Sequence, residues 1–314
     1  MNKVKLAIVG AGFMAQEHAK AFADIPEVEL VGIYSRTHAR AETLAKSRGI
    51  AAVYGSIDEM YRATHADLVL VAVPELSVAS VCEQVFAHPW ISLIEKPVGY
   101  NVSEAKKIAV LAQELGRRAY VALNRRHYSS TRVVMDEVAA VEGQRLVQVF
   151  DQENPELALA GGQPAMVVKN WMYANSIHII DYLAMFCRGE VQNVEHVIRW
   201  DPCKPRFVVT KFTYSSSDIG LYQAVWNAPG PWAVVVQTQS KRWEMRPLEQ
   251  VSVQLYKSRR AEPLAVDARD TQFKAGLRLQ AEELLRALRG EATRLPTLKE
   301  GLKTMELARM IYEA

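Results

Sequence analysis

The sequence is poor in cysteine and has no long apolar run. Its 314 residues include three cysteines, Cys82, Cys187 and Cys203, which lie far apart and form no C-x-x-C pair. A disulfide scaffold and a structural zinc module are therefore not expected, and a cytoplasmic location is the default for this cysteine usage. No apolar run approaches the ~18 residues that a membrane-spanning helix needs, so we expect no membrane partner.

The chain also lacks a strong charge of either sign. It has 38 Lys and Arg against 35 Asp and Glu, a formal net charge of +3, and 49% of its residues are hydrophobic. This balance does not indicate nucleic acid or a membrane surface as a partner, and the apolar content argues against disorder. The basic segment 241–246 is interpreted as a charged hairpin strand. The length suggests about two domains.

The first part of the chain alternates strand and helix patterns. Short apolar runs of this kind are typical of parallel strands buried on both faces. Capping boxes at Ser56 with Glu59 and at Asn101 with Glu104 predict where two of the helices between these strands begin. Repeated β-α-β units predict a doubly wound parallel sheet of the Rossmann type in a domain of residues 1–123. The predicted strands are Lys3–Val9, Val28–Tyr34, Asp67–Val73, Ile91–Ile94 and Arg118–Leu123.

The pattern changes after Asn124. Runs rich in Val, Thr, Tyr and Trp follow one another mostly without helices between them, which predicts an antiparallel or mixed sheet in an α+β domain of residues 124–314. The predicted strands are 145–151, 191–200, 206–214, 221–227, 232–240 and 250–256. Helices are predicted at 125–142, Ser176–Phe186 and Thr271–Arg289, with a last one from Thr297.

A glycine-rich turn follows the first predicted strand. The segment from Gly10 to Ala15 has the pattern G-x-G-x-x-A between a strand and a helix. The first glycine permits the tight turn, Gly12 lets a pyrophosphate approach the backbone, and the helix N-terminus offers free N–H groups. We therefore predict dinucleotide binding at Gly10, Gly12, Phe13 and Met14, the alternative being a plain tight turn of an α/β protein.

The end of the second strand bears on the choice of cofactor. A carboxylate there would hold the ribose 2′-hydroxyl of NAD, but the sequence has Ser35, Arg36 and Thr37, with Arg40 one turn into the next helix. An arginine can clamp a phosphate, and the missing acid removes a repulsion. The segment favours NADP(H), with NAD(H) as the open alternative. In that case Arg36 stacks on adenine and Arg40 is solvated.

A charged pair follows the strand Ile91–Ile94. Residues just past the carboxyl ends of parallel strands face the ligand crevice, which makes Glu95 and Lys96 candidates together with Val73 and Pro74. A partly desolvated Lys96 can exchange a proton with a substrate hydroxyl. The alternative is an ordinary lysine at a strand end. The sequence leaves open whether the Lys96–Pro97 bond is cis.

These segments resemble the glucose–fructose oxidoreductase / inositol dehydrogenase / MocA family. The resemblance rests on the glycine turn, the Ser35-Arg36 pair, Pro74 and above all Glu95-Lys96-Pro97 at their family spacing. It continues through Asn124-Arg125-Arg126, the helix 177–181 and the pattern Phe273, Gln280, Leu284. In that family the lysine matching Lys96 is catalytic and contacts substrate.

The resemblance also implies an activity and an assembly. The implied reaction is hydride transfer between a nicotinamide and the carbinol or carbonyl carbon of a polyhydroxylated small molecule, namely a sugar, a cyclitol or a sugar derivative. The second domain is implied to have a large open sheet that serves as an oligomer interface, giving a homodimer or homotetramer. Two alternatives stay open, a non-catalytic dinucleotide-binding sensor and an NAD-assisted glycosidase.

The helix around His178 departs from the family pattern. Many members carry an aspartate four residues before the histidine, where this chain has Ala174. His178 is predicted as a second proton partner beside Lys96, the alternative being a buried structural histidine. The substrate contacts predicted with these two residues are Arg126, Tyr173, Asn175 and Asp181.

Several alternatives remain for these neighbouring residues. Asn175 or Ser176 can simply cap the helix, and Asp181 can pair with a cation instead of contacting substrate. The adjacent Arg125 and Arg126 favour an acidic or phosphorylated substrate, unless one is solvated and the other forms a salt bridge. Glu75 is either a ligand contact or a solvated loop acid. No metal is expected, because His178 and Asp181 have no apparent third ligand.

Overall fold

The computed structural model describes residues 3–313, which form thirteen strands and twelve α-helices. The strands are β1 (Val4–Val9), β2 (Val28–Tyr34), β3 (Leu68–Val71), β4 (Ile91–Glu95), β5 (Ala119–Ala122), β6 (Leu146–Glu153), β7 (Val191–Ile198), β8 (Phe207–Tyr214), β9 (Ile219–Trp226), β10 (Ala233–Gln237), β11 (Lys241–Met245), β12 (Ser252–Leu255) and β13 (Ala261–Pro263). The helices are α1 (Phe13–Ala23), α2 (His38–Arg48), α3 (Ile57–Thr64), α4 (Val78–Phe86), α5 (Val102–Glu114), α6 (Ser129–Ala139), α7 (Pro155–Ala160), α8 (Ala165–Lys169), α9 (Ile177–Phe186), α10 (Arg269–Gln272), α11 (Leu277–Leu288) and α12 (Leu298–Tyr312).

The first unit contains a five-stranded sheet in the order β2-β1-β3-β4-β5. All four strand pairings are parallel, and three of the strands are buried along their whole length or nearly so, as β-α-β packing requires. The predicted doubly wound Rossmann sheet is confirmed. The order reverses between β1 and β3, and ligands of such sheets bind at that switch point.

Two predicted capping boxes in this unit are present. Ser56 accepts a hydrogen bond from the N–H of Glu59, and Asn101 accepts one from the N–H of Glu104. In each case the glutamate side chain accepts in return from a backbone N–H just before the helix. These bonds satisfy donors that a helix start otherwise leaves open, which fixes where α3 and α5 begin.

The division of the chain differs from the predicted split at residue 123. One unit comprises the described residues up to Asn124 together with Thr271–Leu302, and the other comprises Arg125–Asp270 and the described residues from Lys303 onward. The segment 271–302 returns to the first unit because the apolar face of α11 packs against α1. Leu284 and Leu285 share one core with Leu6 and Phe22.

The predicted helix 271–289 is interrupted. Short α10 ends at Gln272, and α11 begins only after Gly276, whose φ is +79°. A left-handed residue cannot continue a right-handed helix, so the glycine divides the segment. The predicted helix 125–142 is likewise a 3-10 turn over Asn124–His127 followed by α6.

The second unit contains an eight-stranded mixed sheet in the order β13-β12-β11-β10-β6-β9-β8-β7. The β6–β9 pairing is parallel and the other pairings are antiparallel. Buried residues alternate strictly with half-buried or exposed ones along β6, β8 and β9, so one face of the sheet is covered and the other is open. The predicted large mixed sheet is confirmed, and residues 241–245 of the basic segment form strand β11, which pairs with β10 and β12.

A π-helical turn, Met172–Ser176, leads directly into α9. Such turns are rare and occur often at functional sites. Among residues 3–313, no helix is long and apolar enough to span a membrane.

Candidate functional site

The glycine turn between β1 and α1 has the geometry of a phosphate cradle. Gly10 has a φ of +111°, and a Cβ there would lie 2.0 Å from the carbonyl oxygen of Ala72, so only glycine fits. A Cβ at Gly12 would face open space, and no side chain caps the start of α1. The first N–H groups of α1, at Phe13 and Met14, thus lie at an open helix N-terminus that suits an anion.

The neighbouring strand end borders this turn. The side chain of Val73, just past β3, lies beside Gly10, and Pro74 begins a 3-10 turn over Glu75–Ser77. Lys274 also places its ammonium 5.6 Å from the ring centroid of Phe13. Sequence reasoning missed Lys274, because 261 residues separate it from Phe13.

Two arginines near the end of β2 form no hydrogen bond or ion pair through their side chains within the described part of the chain. Arg36 and Arg40 are exposed, and neither guanidinium has a partner among residues 3–313. The hydroxyl of Ser35 accepts from the N–H of Thr37, which caps α2, and the first turn of α2 contains no acid. The arrangement therefore offers positive charge and a helix N-terminus to an anion.

A buried contact between Glu95 and His18 adjoins Lys96. Oε1 of Glu95 lies 2.7 Å from Nε2 of His18, and both side chains are almost fully buried. The other carboxylate oxygen of Glu95 accepts from the N–H of Lys96 at 3.2 Å. Glu95 was predicted to contact the cofactor, and this stays a prediction; its carboxylate lies against His18 of α1. Sequence reasoning missed His18, which looks like any core residue of an amphipathic helix.

Lys96 follows directly after β4 and is half-buried, and the Lys96–Pro97 peptide bond is cis. Its backbone is held by Glu95, which ties the start of this turn to the buried contact with His18. Lys96 therefore stands at the carboxyl end of the sheet, the same end as the glycine turn and the end of β2.

In the second unit, Arg126 and Asp181 form a buried bidentate pair. Nε and Nη2 of Arg126 donate to the two carboxylate oxygens at 2.6 and 2.7 Å, and the hydroxyl of Thr304 donates to Asp181 at 2.7 Å. The carboxylate is 1% exposed. The structure thus shows Asp181 paired with a cation, as in the alternative left open above, and the substrate contacts of Asp181 and Arg126 stay a prediction.

The turn before His178 is held by two carboxyl groups. The hydroxyl of Tyr173 donates to Glu313 at 2.6 Å, and Nδ2 of Asn175 donates to Oε2 of Glu153 at 2.8 Å. Both side chains, predicted to orient substrate, are used for internal bonds in this structure. His178, two residues after the turn, is buried at 7% exposure in α9.

Glu153 shares its surroundings with a second acid, Asp151. The two lie two residues apart on β6 and face the covered side of the sheet, at 1% and 2% exposure. Burial raises the pKa of both carboxyls, and the charge of Asp151 raises that of Glu153 further. Sequence reasoning missed this pair, although two acids at strand spacing within a Val-rich run are the signal that indicates it.

Parallel sheet, glycine turn and open helix N-terminus together define a Rossmann dinucleotide-binding domain. Residues 4–123 match the oxidoreductase family with an NAD-binding Rossmann fold, the glucose–fructose oxidoreductase / inositol dehydrogenase / MocA family. The match is confined to the N-terminal part of the chain, which is similar to the Rossmann domain of that family.

Individual relatives agree with this assignment. The chain is 30% identical over 130 residues to glucose-6-phosphate 3-dehydrogenase of Bacillus subtilis, covering 41% of this chain and 36% of that protein. It is 29% identical over 140 residues to the rhizopine catabolism protein MocA of Rhizobium meliloti, covering 45% and 44%. The alignments thus span less than half the length of either relative.

A solved structure extends the likeness of fold to the whole chain. The UDP-N-acetylglucosamine 3-dehydrogenase of Acidithiobacillus ferrooxidans superposes with a TM-score of 0.81 and covers 100% of this chain and 98% of that one. At 18% identity the likeness shows a common fold.

Proposed function

We propose that the chain is an NADP(H)-dependent oxidoreductase that transfers a hydride between the nicotinamide and the carbinol or carbonyl carbon of a sugar, cyclitol or sugar derivative. The family of the N-terminal domain supports oxidoreductase chemistry. Two of the proteins named above act, by name, on a sugar phosphate and on a nucleotide sugar, which supports a polyhydroxylated substrate.

The observation that carries the NADP preference is the end of β2. Arg36 and Arg40 have no partner among the described side chains, and no acid stands in the first turn of α2. A 2′-phosphate brings negative charge to that place, where two guanidinium groups and a helix N-terminus favour it. NAD(H) lacks that phosphate and gains nothing from these groups.

The remaining cofactor contacts follow from the same end of the sheet. Gly10, Gly12 and the first N–H groups of α1 suit the pyrophosphate, while Val73 and Pro74 line the adjoining strand end. When bound, the nicotinamide supplies or accepts the hydride.

Lys96 is our proposed acid–base residue. Its Nζ takes the hydroxyl proton when a carbinol is oxidised, and returns it when a carbonyl is reduced. The buried contact between Glu95 and His18 fixes the backbone from which Lys96 projects. His178, whose imidazole can accept and donate a proton, is proposed as the second proton partner.

The experiment is thermal unfolding of the protein with NADPH, NADP⁺, NADH and NAD⁺ in parallel. A ligand at about 100 times its Kd stabilises the fold by about 2.7 kcal/mol, which is a readable shift. We expect the shift with the NADP pair. A shift with NADH and NAD⁺ alone would overturn the preference for NADP(H). If none of the four nucleotides shifts the unfolding temperature, and denaturation releases no bound nucleotide, dinucleotide binding is overturned.

A second candidate function is a dinucleotide-binding sensor without turnover. It is favoured by Ala174, which stands where many family members carry an acid. The variant Lys96→Ala separates the two functions, because an enzyme should lose at least about a hundredfold in turnover, within the range of acid–base catalysis, and keep its cofactor affinity. Wild-type protein that binds NADPH yet reduces no sugar or cyclitol carbonyl would favour the sensor.

We also propose a homodimer or homotetramer in the cytoplasm. The open face of the eight-stranded sheet carries half-buried or exposed apolar side chains, among them Phe150, Phe207, Val209 and Leu221. A face of this kind is typical of a protein interface. The three cysteines are free, and two of them are buried, which suits a reducing compartment. Light scattering of the purified protein tests the assembly.

A further inference from the structure

The buried acids Asp151 and Glu153 have no counter-charge. Neither carboxyl forms an ion pair with any of residues 3–313, although both lie under the covered face of the sheet. An ionised carboxylate in such a place is strongly disfavoured unless it is paired. Two ionised carboxylates side by side repel each other as well, so the pair is expected to retain a proton.

The hydrogen bonds show where that proton belongs. Oδ2 of Asp151 accepts from the hydroxyl of Tyr222 at 2.5 Å, and Oε2 of Glu153 accepts from Trp171 Nε1 at 2.6 Å and from Asn175 Nδ2 at 2.8 Å. The other oxygens, Oδ1 and Oε1, are buried and find no donor in the described chain. The two carboxyls lie on the same buried face of β6, two residues apart, where a proton on one can serve as the missing donor for the other.

The surroundings supply no competing charge. Burial raises the pKa of Tyr222 and of Tyr312, whose hydroxyls lie 2.6 Å apart, so both stay neutral. The adjoining strand β10 has no titratable residue. In α9, which also packs on β6, Asp181 is neutralised by Arg126, and the other titratable side chains are His178 and Tyr182.

We propose that Asp151 and Glu153 share one proton at neutral pH and that Glu153 thereby positions the π-helical turn Met172–Ser176. The turn is held at both ends, since Trp171 precedes it and Asn175 lies within it, and both donate to the same oxygen of Glu153. The turn leads into the helix that carries His178. Glu153 is therefore a positioning residue, a role that rests on the proposed function of His178.

The shared proton is tested by stability, without any substrate. Glu153→Gln keeps the acceptor for Trp171 and Asn175 and offers an N–H to Asp151, so it imitates the protonated acid. The matched control is Glu249→Gln, which alters an exposed glutamate with no side-chain partner in the described chain. The free energy of unfolding of all three proteins is measured by urea denaturation from pH 5 to pH 8.

We expect wild type to lose stability relative to Glu153→Gln as the pH rises. The folded chain keeps a proton that the unfolded chain gives up above its ordinary pKa of about 4.3, so stability is full below that pKa and falls towards the folded one. The ratio of the two unfolding constants should change by up to about tenfold per pH unit. A ratio independent of pH, as expected for Glu249→Gln, would overturn the shared proton.

The positioning role is tested by kinetics. Glu153→Gln should keep kcat near that of wild type at pH 7, whereas Glu153→Ala should lower kcat at least tenfold and leave the cofactor Kd unchanged. Wild-type kcat should fall at alkaline pH where that of Glu153→Gln does not. Equal losses in both variants would overturn the role. If wild type itself turns over no substrate, the proposed function has failed while the stability result still stands.

Discussion

The choice between NADP(H) and NAD(H) is best tested at Arg36. This arginine is exposed at the end of β2, and its guanidinium has no partner among residues 3–313, so Arg36→Ala removes no internal contact. We expect the free energy of unfolding to change by less than about 0.5 kcal/mol, as for other surface substitutions away from special features. A change in the cofactor affinity of this variant can then be attributed to a lost contact with the cofactor and not to a less stable fold.

The expected loss follows from the bond that the arginine would make. A hydrogen bond to a charged group contributes about 1.5–3 kcal/mol, which corresponds to about 10- to 150-fold in Kd. Because the site is open to solvent, salt screens it, and we expect the lower end of that range at about 0.1 M ionic strength. The Kd for NADPH should rise about tenfold or more, and the Kd for NADH should change by less than twofold.

The control is Lys46→Ala, which removes one positive charge from the last turn of the same helix α2. Titration calorimetry with NADPH and NADH, at low and high salt, compares wild type with the two variants. If only the overall charge mattered, both variants would bind NADPH more weakly than wild type by the same factor. An equal loss for NADPH and NADH in Arg36→Ala would place the arginine on the adenine ring, and either result would refute the phosphate clamp.

Two further predictions concern stability. Asp218→Asn should cost about 1.5–3 kcal/mol at pH 7, because burial opposes the charge but hydrogen bonds from Arg188 outweigh it and lower the pKa of Asp218 to about 2. This stabilisation is present above the ordinary pKa of about 3.8 and is lost as the pH falls through 2. The free energies of unfolding of wild type and Asp218→Asn should therefore converge in acid. A difference that stays constant with pH would contradict the ion pair as its cause. Gly10→Ala should lower the free energy of unfolding by more than the roughly 1–3 kcal/mol of backbone strain, because the new Cβ would also meet the Ala72 carbonyl. Gly49→Ala should lose only the strain energy, because Gly49 has a φ of +65° and open space around its Cβ position. Urea denaturation measures both glycine variants, and equal losses would show that the contact with Ala72 relaxes freely.

The phosphate turn and the start of each capped helix were predictable because they depend on neighbours in sequence. A glycine at position 10, a missing acid at 35–37 and the Asn101–Glu104 capping box act within a few residues of the chain. The strands of the first sheet were also predictable from the sequence, since burial on both faces requires continuous apolar runs. The same reasoning placed Lys96 at the carboxyl end of that sheet.

What the sequence left open or missed has a different origin. The pairing of Arg126 with Asp181 was only one of the open alternatives, because 55 residues of chain separate the two side chains. Gly276 was included in a long amphipathic helix, yet its left-handed conformation divides that helix. In both cases the pattern of residue types was correct and the partner or the backbone angle was not visible in it.

The sequence alone determined the fold class, the glycine turn and the place of Lys96 at a strand end, because each depends on local conformation and hydrophobic period. The catalytic role of Lys96 was implied only by the family resemblance. Only the tertiary structure decided which charges meet. It placed His18 against Glu95, seventy-seven residues away, and the turn before His178 against Glu153. It also returned residues 271–302 to the first unit, where α11 covers apolar surface of α1. A buried charge needs a specific partner, and that partner is set by which elements pack together rather than by the residues beside it in the chain.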